Sequence, residues 1–263
     1  IGKTLDEEIP GRSGNIDFFT RFKKDNPGQV VLLHMNGNAR DPRWESNRFF
    51  AGHWIYYNGA IITADVPAEE GESLIKVSDP KLFKTGTGRY MNSNEDIGLC
   101  MLDDAGRPDW SRSEQVKLLS IDVKAGTIRV KRGCYGTRPM MFSKSKAYAA
   151  AHAAEGPWGK GSNILWFYNY ATCCPKDNMG HVCADIWAGH IGELFNKGGR
   201  LAAYDGLEFD VLNNQPGRYE EGQLRGADCD ADGKPDGGII NGINMYGAGV
   251  IEFCRLLRVT LGE

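Results

Sequence analysis

Apolar residues recur along this chain at two spacings, each predicting a different kind of element. At Ile16, Phe18, Phe19 and Phe22 the spacing is helical, and Asn26-Pro27-Gly28 then stops the helix. The run Val30 to Leu33, closed by His34-Met35-Asn36-Gly37-Asn38, has the pattern of a strand buried on both faces. Asn163 to Tyr170 repeats that pattern, and a third strand is predicted over 203–212. From Cys183 to Lys197, Ile186, Trp187, Ile191, Leu194 and Phe195 form one helical stripe, with Gly198-Gly199 as the stop. A last helix from about Tyr246 to Leu261 turns Val250, Phe253, Cys254, Leu257 and Leu261 to its buried side.

Residues 59–161 have a different texture, broken by glycine and acidic turn residues. Val116 to Val123 and Thr127 to Lys131, joined by Lys124-Ala125-Gly126, read as a β-hairpin. Strand and helix alternating around a β-rich insertion is the rhythm of a parallel α/β sheet or a (β/α) barrel. The expectation is therefore a (β/α)8 TIM-barrel-type domain from 1–58 and 162–263, interrupted by a β-rich insertion over 59–161. Only three barrel-type strands are visible, so the chain is expected to hold the N-terminal part of such a barrel and to associate with a missing C-terminal half or further domains.

Charge and cysteine content narrow the function classes. The 263 residues carry 31 Lys and Arg against 34 Asp and Glu, a net charge of -3. That leaves no basic surplus for nucleic-acid binding. No run of about 18 apolar residues occurs, so no membrane span is expected. Seven scattered cysteines without a CxxC pair argue against a zinc site or a disulfide framework. The first residues have no basic leader or apolar segment, which leaves an already processed export signal open, and an extracellular or periplasmic setting is expected.

Strand parity picks out candidate chemistry. In the third strand Leu207, Phe209 and Val211 form the apolar set, which sends Glu208 and Asp210 to the other face. The same test on the first strand puts His34 and Asn36 on that face, and Asn169 closes the second strand. Five polar residues thus converge where a barrel interior would hold branched apolar ones. Paired carboxylates are the means of cleaving a glycosidic bond, which makes Asp210 and Glu208 the catalytic candidates and His34, Asn36 and Asn169 substrate-binding ones. A hydrogen-bonded core role for His34, and an ion pair of Glu208 with Arg40 or Arg43, are the competing readings. Trp54 and Trp158 are candidate aromatic platforms for sugar rings, whereas Trp166 has the parity of a core residue.

The segment Tyr204-Asp205-Gly206-Leu207-Glu208-Phe209-Asp210-Val211 resembles the strand motif of barrel glycosidases, including the α-amylase clan and several uncharacterised glycosyl hydrolase families. In that clan the last Asp is the nucleophile, which corresponds to Asp210, while Glu208 stands where the clan has Arg. Residues 34–43 and the stretches 132–137 and 150–152 also resemble those uncharacterised families, in which a small β domain interrupts the barrel. The resemblance implies a glycoside hydrolase acting on a poly- or oligosaccharide. A calcium-stabilised, non-catalytic carbohydrate-binding or extracellular structural module is the alternative.

Asp228, Asp230, Asp232-Gly233 and Asp236 spell D-x-D-x-D-G-x-x-D, an oxygen-rich spacing suited to a hard cation, with the Lys234 carbonyl as a further ligand. The motif resembles the calcium loops of dockerins and thrombospondin type 3 repeats, and Ca2+ is the expected ion. Ile239 stands where an EF-hand would place its closing glutamate. An acidic surface turn without an ion is the competing reading.

Overall fold

In a computed structural model that describes residues 14–87, 91–157, 163–216 and 224–262, strands dominate. In chain order the elements are α1 (Gly14–Asp25), β1 (Leu32–Asn36), β2 (Ala39–Arg40), β3 (Tyr56–Tyr57), β4 (Ala60–Ile61), β5 (Glu72–Lys76), β6 (Asp96–Leu102), β7 (Pro108–Asp122), β8 (Thr127–Lys131) and β9 (Ala147–Ala151). There follow β10 (Ala154–Glu155), β11 (Leu165–Phe167), α2 (Cys183–Phe195), β12 (Gly206–Asp210), β13 (Ala227–Asp228), β14 (Ile239–Ile240), β15 (Ile243–Asn244) and α3 (Met245–Leu261).

The largest unit is a curled antiparallel sheet of six strands in the order β4-β9-β6-β7-β8-β5. The expected hairpin is its β7–β8 pair, with Ile121 opposite Ile128 and Asp122 opposite Thr127. Gly126, at φ 69°, supplies the left-handed turn residue between them. On the inner face Ile97, Leu99, Val116, Leu118, Ile128, Val130 and Phe142 are all fully buried. The alanines of β9 let its neighbours close over it, and all five of its residues are buried.

A second core lies under the helices. Trp187, Ile191 and Leu194 of α2 pack with Val250, Phe253 and Leu257 of α3 and with Leu33 and Met35 of β1. Gly249 allows α3 to rest on the preceding backbone, because a Cβ there would stand 1.5 Å from the Tyr170 carbonyl oxygen. Cys254, expected on the buried side of α3, is instead exposed. An aromatic stack of Trp54, Tyr168 and Trp187, with ring centroids 5.5 and 5.2 Å apart, fills the centre.

The (β/α)8 barrel expectation is overturned. Among the described residues one parallel pair occurs, β1 with β12, in the register His34 to Glu208 and Asn36 to Asp210. The strand expected at the centre of a parallel sheet, β11, pairs antiparallel with both β10 and β2. Among the described residues only three α-helices occur, too few to cover a barrel. The run from Val30 through β1 is not buried on both faces either: Val30 is 65% and Leu32 41% exposed, while Leu33 and Met35 are fully buried. With no barrel, the likeness to barrel glycosidases loses its structural basis, and the hydrolase and glycosidase assignments that depended on it fall with it. Among the described residues no helix is long and apolar enough to cross a membrane.

Candidate functional site

The β1–β12 pair brings together four of the predicted residues. Alternation turns Leu33 and Met35 into the core, leaving His34, Asn36, Glu208 and Asp210 on the opposite face. His34 Nδ1 lies 2.9 Å from Glu208 Oε2 and its Nε2 lies 3.7 Å from Asp210 Oδ2. The imidazole therefore bridges two carboxylates that are each more than half exposed. Arg40 and Arg43, the alternative partners for Glu208, pair instead with Glu45 and Asp41.

Asn36 extends this face to Glu155, a residue sequence parity did not single out. Its Oδ1 accepts from the Asn38 and Ala39 amides at 2.8 and 2.9 Å, which orients its Nδ2 to donate to Glu155 Oε1. Burial pushes the Glu155 carboxyl above the usual range; the Asn36 bond opposes that shift and Asp210 adds to it. Glu155 also lines a cavity of about 410 Å³ with Asn38, Asn213, Asn214, Phe167 and Tyr246. Its walls thus combine amides, one carboxyl and two aromatic rings.

Asn169 and Trp54 lie elsewhere. Asn169 is buried and donates from Nδ2 to the Cys229 carbonyl at 2.9 Å, so it braces the acidic loop. Trp54 is 2% exposed, edge-on to Trp166 and stacked on Tyr168, which leaves no ring face for a sugar. Trp158 lies outside the described residues.

The acidic loop begins in β13, which is paired with β3. Oxygens of Asp228, Asp230 and Asp236 converge within 4.8 Å of one another, and these three could hold a metal ion. Backbone amides shape the cluster: Gly233 N donates to Asp228 Oδ2 at 2.9 Å, and Cys229 N to Asp236 Oδ2 at 2.8 Å. Gly233, at φ 85°, makes the turn that aims its N–H inward. Burial first, and then Asp236, Asp230 and Asp232, push the Asp228 carboxyl well above the usual carboxylate range, against the Gly233 hydrogen bond. Asp232 is not among the converging three; its Oδ1 accepts from the Lys234 amide and its Oδ2 lies 3.8 Å from Lys234 Nζ. The Lys234 side chain points to solvent, 82% exposed.

A separate buried network centres on Asp96, whose carboxylate accepts from Tyr135 Oη at 2.7 Å and Trp166 Nε1 at 2.9 Å. Burial pushes this carboxyl up to about 6. A folded-state pKa raised above the unfolded value of about 3.9 gives a contribution that is fully present below pH ~4 and lost as pH rises through about 6. Wild-type stability relative to Asp96→Asn is thus expected to fall by roughly 3 kcal/mol across that window. Denaturant unfolding of both proteins from pH 4 to 8 measures it, and a pH-independent difference would refute it.

No known protein family matches the chain, and no curated protein sequence is recognisably similar to it.

Proposed function

We propose that this protein is a calcium-stabilised module that binds a poly- or oligosaccharide in the amide-lined cavity beside β1 and β12. The observation that carries the reading is the cavity wall itself. Side-chain amides both donate and accept, as sugar hydroxyls do, and the rings of Phe167 and Tyr246 match the apolar faces of a pyranose. At about 410 Å³ the cavity is in the range of small-ligand sites. Glu155 and Asp210 at its side supply acceptors for further hydroxyls.

The convergent carboxylates of Asp228, Asp230 and Asp236 support calcium, since hard cations of that size prefer flexible all-oxygen shells, while magnesium keeps several waters. Asp232 and the Lys234 carbonyl are the further ligands that the loop sequence offers. Extracellular calcium is abundant enough to fill even a weak site of this kind, which favours an extracellular or periplasmic setting.

Titration calorimetry against an oligosaccharide panel tests the binding reading. At least one glycan is expected to bind, with Asn214→Ala weakening it about tenfold, the loss of roughly one neutral hydrogen bond. No binding across the panel would discard it. Release of reducing ends by the wild type, abolished in Asp210→Asn, would replace the binding reading with a catalytic one.

A further inference from the structure

A second cavity, of about 520 Å³, lies on the other side of β10: Ala154 lines it, while the next residue, Glu155, lines the amide cavity. Its apolar wall comes from Phe83, Ile121 and Ile164. Two polar features set it apart from a packing void.

The first is His152, 1% exposed and a lining residue. Its ring is stacked on Trp166 at 3.5 Å, and the tilted Tyr56 ring lies 4.3 Å away. Gln115 Nε2 donates to Tyr56 Oη at 2.9 Å, which leaves Gln115 Oε1 to accept from His152 Nε2 at 2.8 Å. The Nε2 therefore carries the proton, and Nδ1 is a bare acceptor with no partner among the described residues. Burial holds the ring neutral, its pKa well below the ordinary value. With Nε2 taken, Nδ1 is the ring nitrogen left without a partner among the described residues. An orphaned buried acceptor costs free energy that a donor on a ligand would recover.

The second feature is charge. Glu95 is neutralised inside the wall by Arg225, whose Nη2 lies 2.5 Å from Glu95 Oε1 and whose guanidinium sits 4.2 Å over the Tyr57 ring. The Glu95 Oε2 accepts the Lys84 amide at 2.7 Å. Among the described lining residues that leaves the exposed Lys84 as a charge without an ion-pair partner.

We propose that this cavity is a binding site for a small organic anion with an aromatic or apolar body, whose hydroxyl or N–H donates to His152 Nδ1 and whose charge meets Lys84. The apolar wall takes the body, the neutral imidazole selects a donor over an acceptor, and the lysine selects an anion. The site is independent of the saccharide reading.

The probe for the test is 8-anilinonaphthalene-1-sulfonate, which combines aromatic rings, an N–H donor and a sulfonate. Fluorescence titration is expected to show one saturable site per chain, and in protein labelled with 15N-histidine the His152 Nδ1 resonance is expected to move. Lys84→Glu should weaken binding about tenfold or more. Thr85→Trp, at an exposed lining position that leaves the fold intact, should abolish it. The proposal is overturned by the absence of saturable binding, by a His152 resonance that stays in place, or by affinity unchanged in Thr85→Trp.

Discussion

Arg132→Ala is expected to lower the free energy of unfolding by about 3–5 kcal/mol, the largest single-residue loss in the six-stranded sheet. Arg132 and Glu114 form a bidentate pair, Nε to Oε1 at 2.8 Å and Nη2 to Oε2 at 2.6 Å, with both side chains at 0% exposure. Every remaining valence is used. Arg132 also donates to the Pro67 and Met140 carbonyls at 2.9 and 2.7 Å and to Ser73 Oγ at 3.3 Å, and Glu114 accepts the Gly133 and Met140 amides at 2.8 and 2.9 Å. Removing the guanidinium strands a carboxylate in the core together with two carbonyls. Replacing both residues by apolar ones would restore only part of the loss, because the two amides held by Glu114 would then be orphaned. Arg129→Ala is the control: its pair with Glu72 spans 3.5 Å between side chains more than half exposed, and its loss should cost at most about 1 kcal/mol. Equilibrium denaturation of the three proteins decides it, and an Arg132→Ala loss no larger than the control would refute the argument.

That buried pair was legible in the sequence by a parity that apolar patterning overlooks. Glu114 shares its strand face with Val116 and Leu118, and Arg132 continues the face of Ile128 and Val130, so alternation places both charges inward on adjacent strands. The hairpin and the three helices were legible for the same reason, since their period is local. Parity also put His34, Asn36, Glu208 and Asp210 on one face, and β1 and β12 do run parallel there. What parity cannot carry is the identity of a strand's neighbour. Leu165–Phe167 is apolar because aromatic rings cover it within an antiparallel sheet, a pattern that short apolar runs share with the centre of a parallel one. The barrel, and the place of Asn169 in its mouth, rested on that reading together with the reading of 30–33 as a strand buried on both faces, which the exposure of Val30 and Leu32 overturns. Glu155 and the orphaned Nδ1 of His152 depend on contacts between distant segments, Asn36 with β10 and Gln115 with Tyr56, for which the local sequence holds no signal.

Chelation of divalent cations from protein equilibrated with calcium is expected to lower its stability by about 4 kcal/mol when the starting calcium stands a thousandfold above Kd. The physical cause is the charge left behind. Asp228 is 6% exposed, its oxygens lie with those of Asp230 and Asp236 within 4.8 Å, and among the described residues the loop's Lys234 pairs with Asp232 rather than with any of those three. Backbone amides offset part of the repulsion, but hydrogen bonds from neutral donors do not let three converging carboxyls ionise together as a dication does. Asp228→Asn separates a cation site from an ordinary structural loop because its two effects have opposite signs. The amide keeps an acceptor for the Gly233 N–H and takes away a carboxyl that burial and its acidic neighbours make costly to ionise, so without calcium the variant should be as stable as the wild type or more so. With calcium the wild type should gain and the variant should not. Magnesium, which holds its own waters, should stabilise the wild type less at equal concentration. Thermal unfolding of both proteins in chelator, calcium and magnesium reads all of this at once. A wild-type transition indifferent to chelation, or an Asp228→Asn variant that keeps the full calcium shift, would remove the cation from this loop.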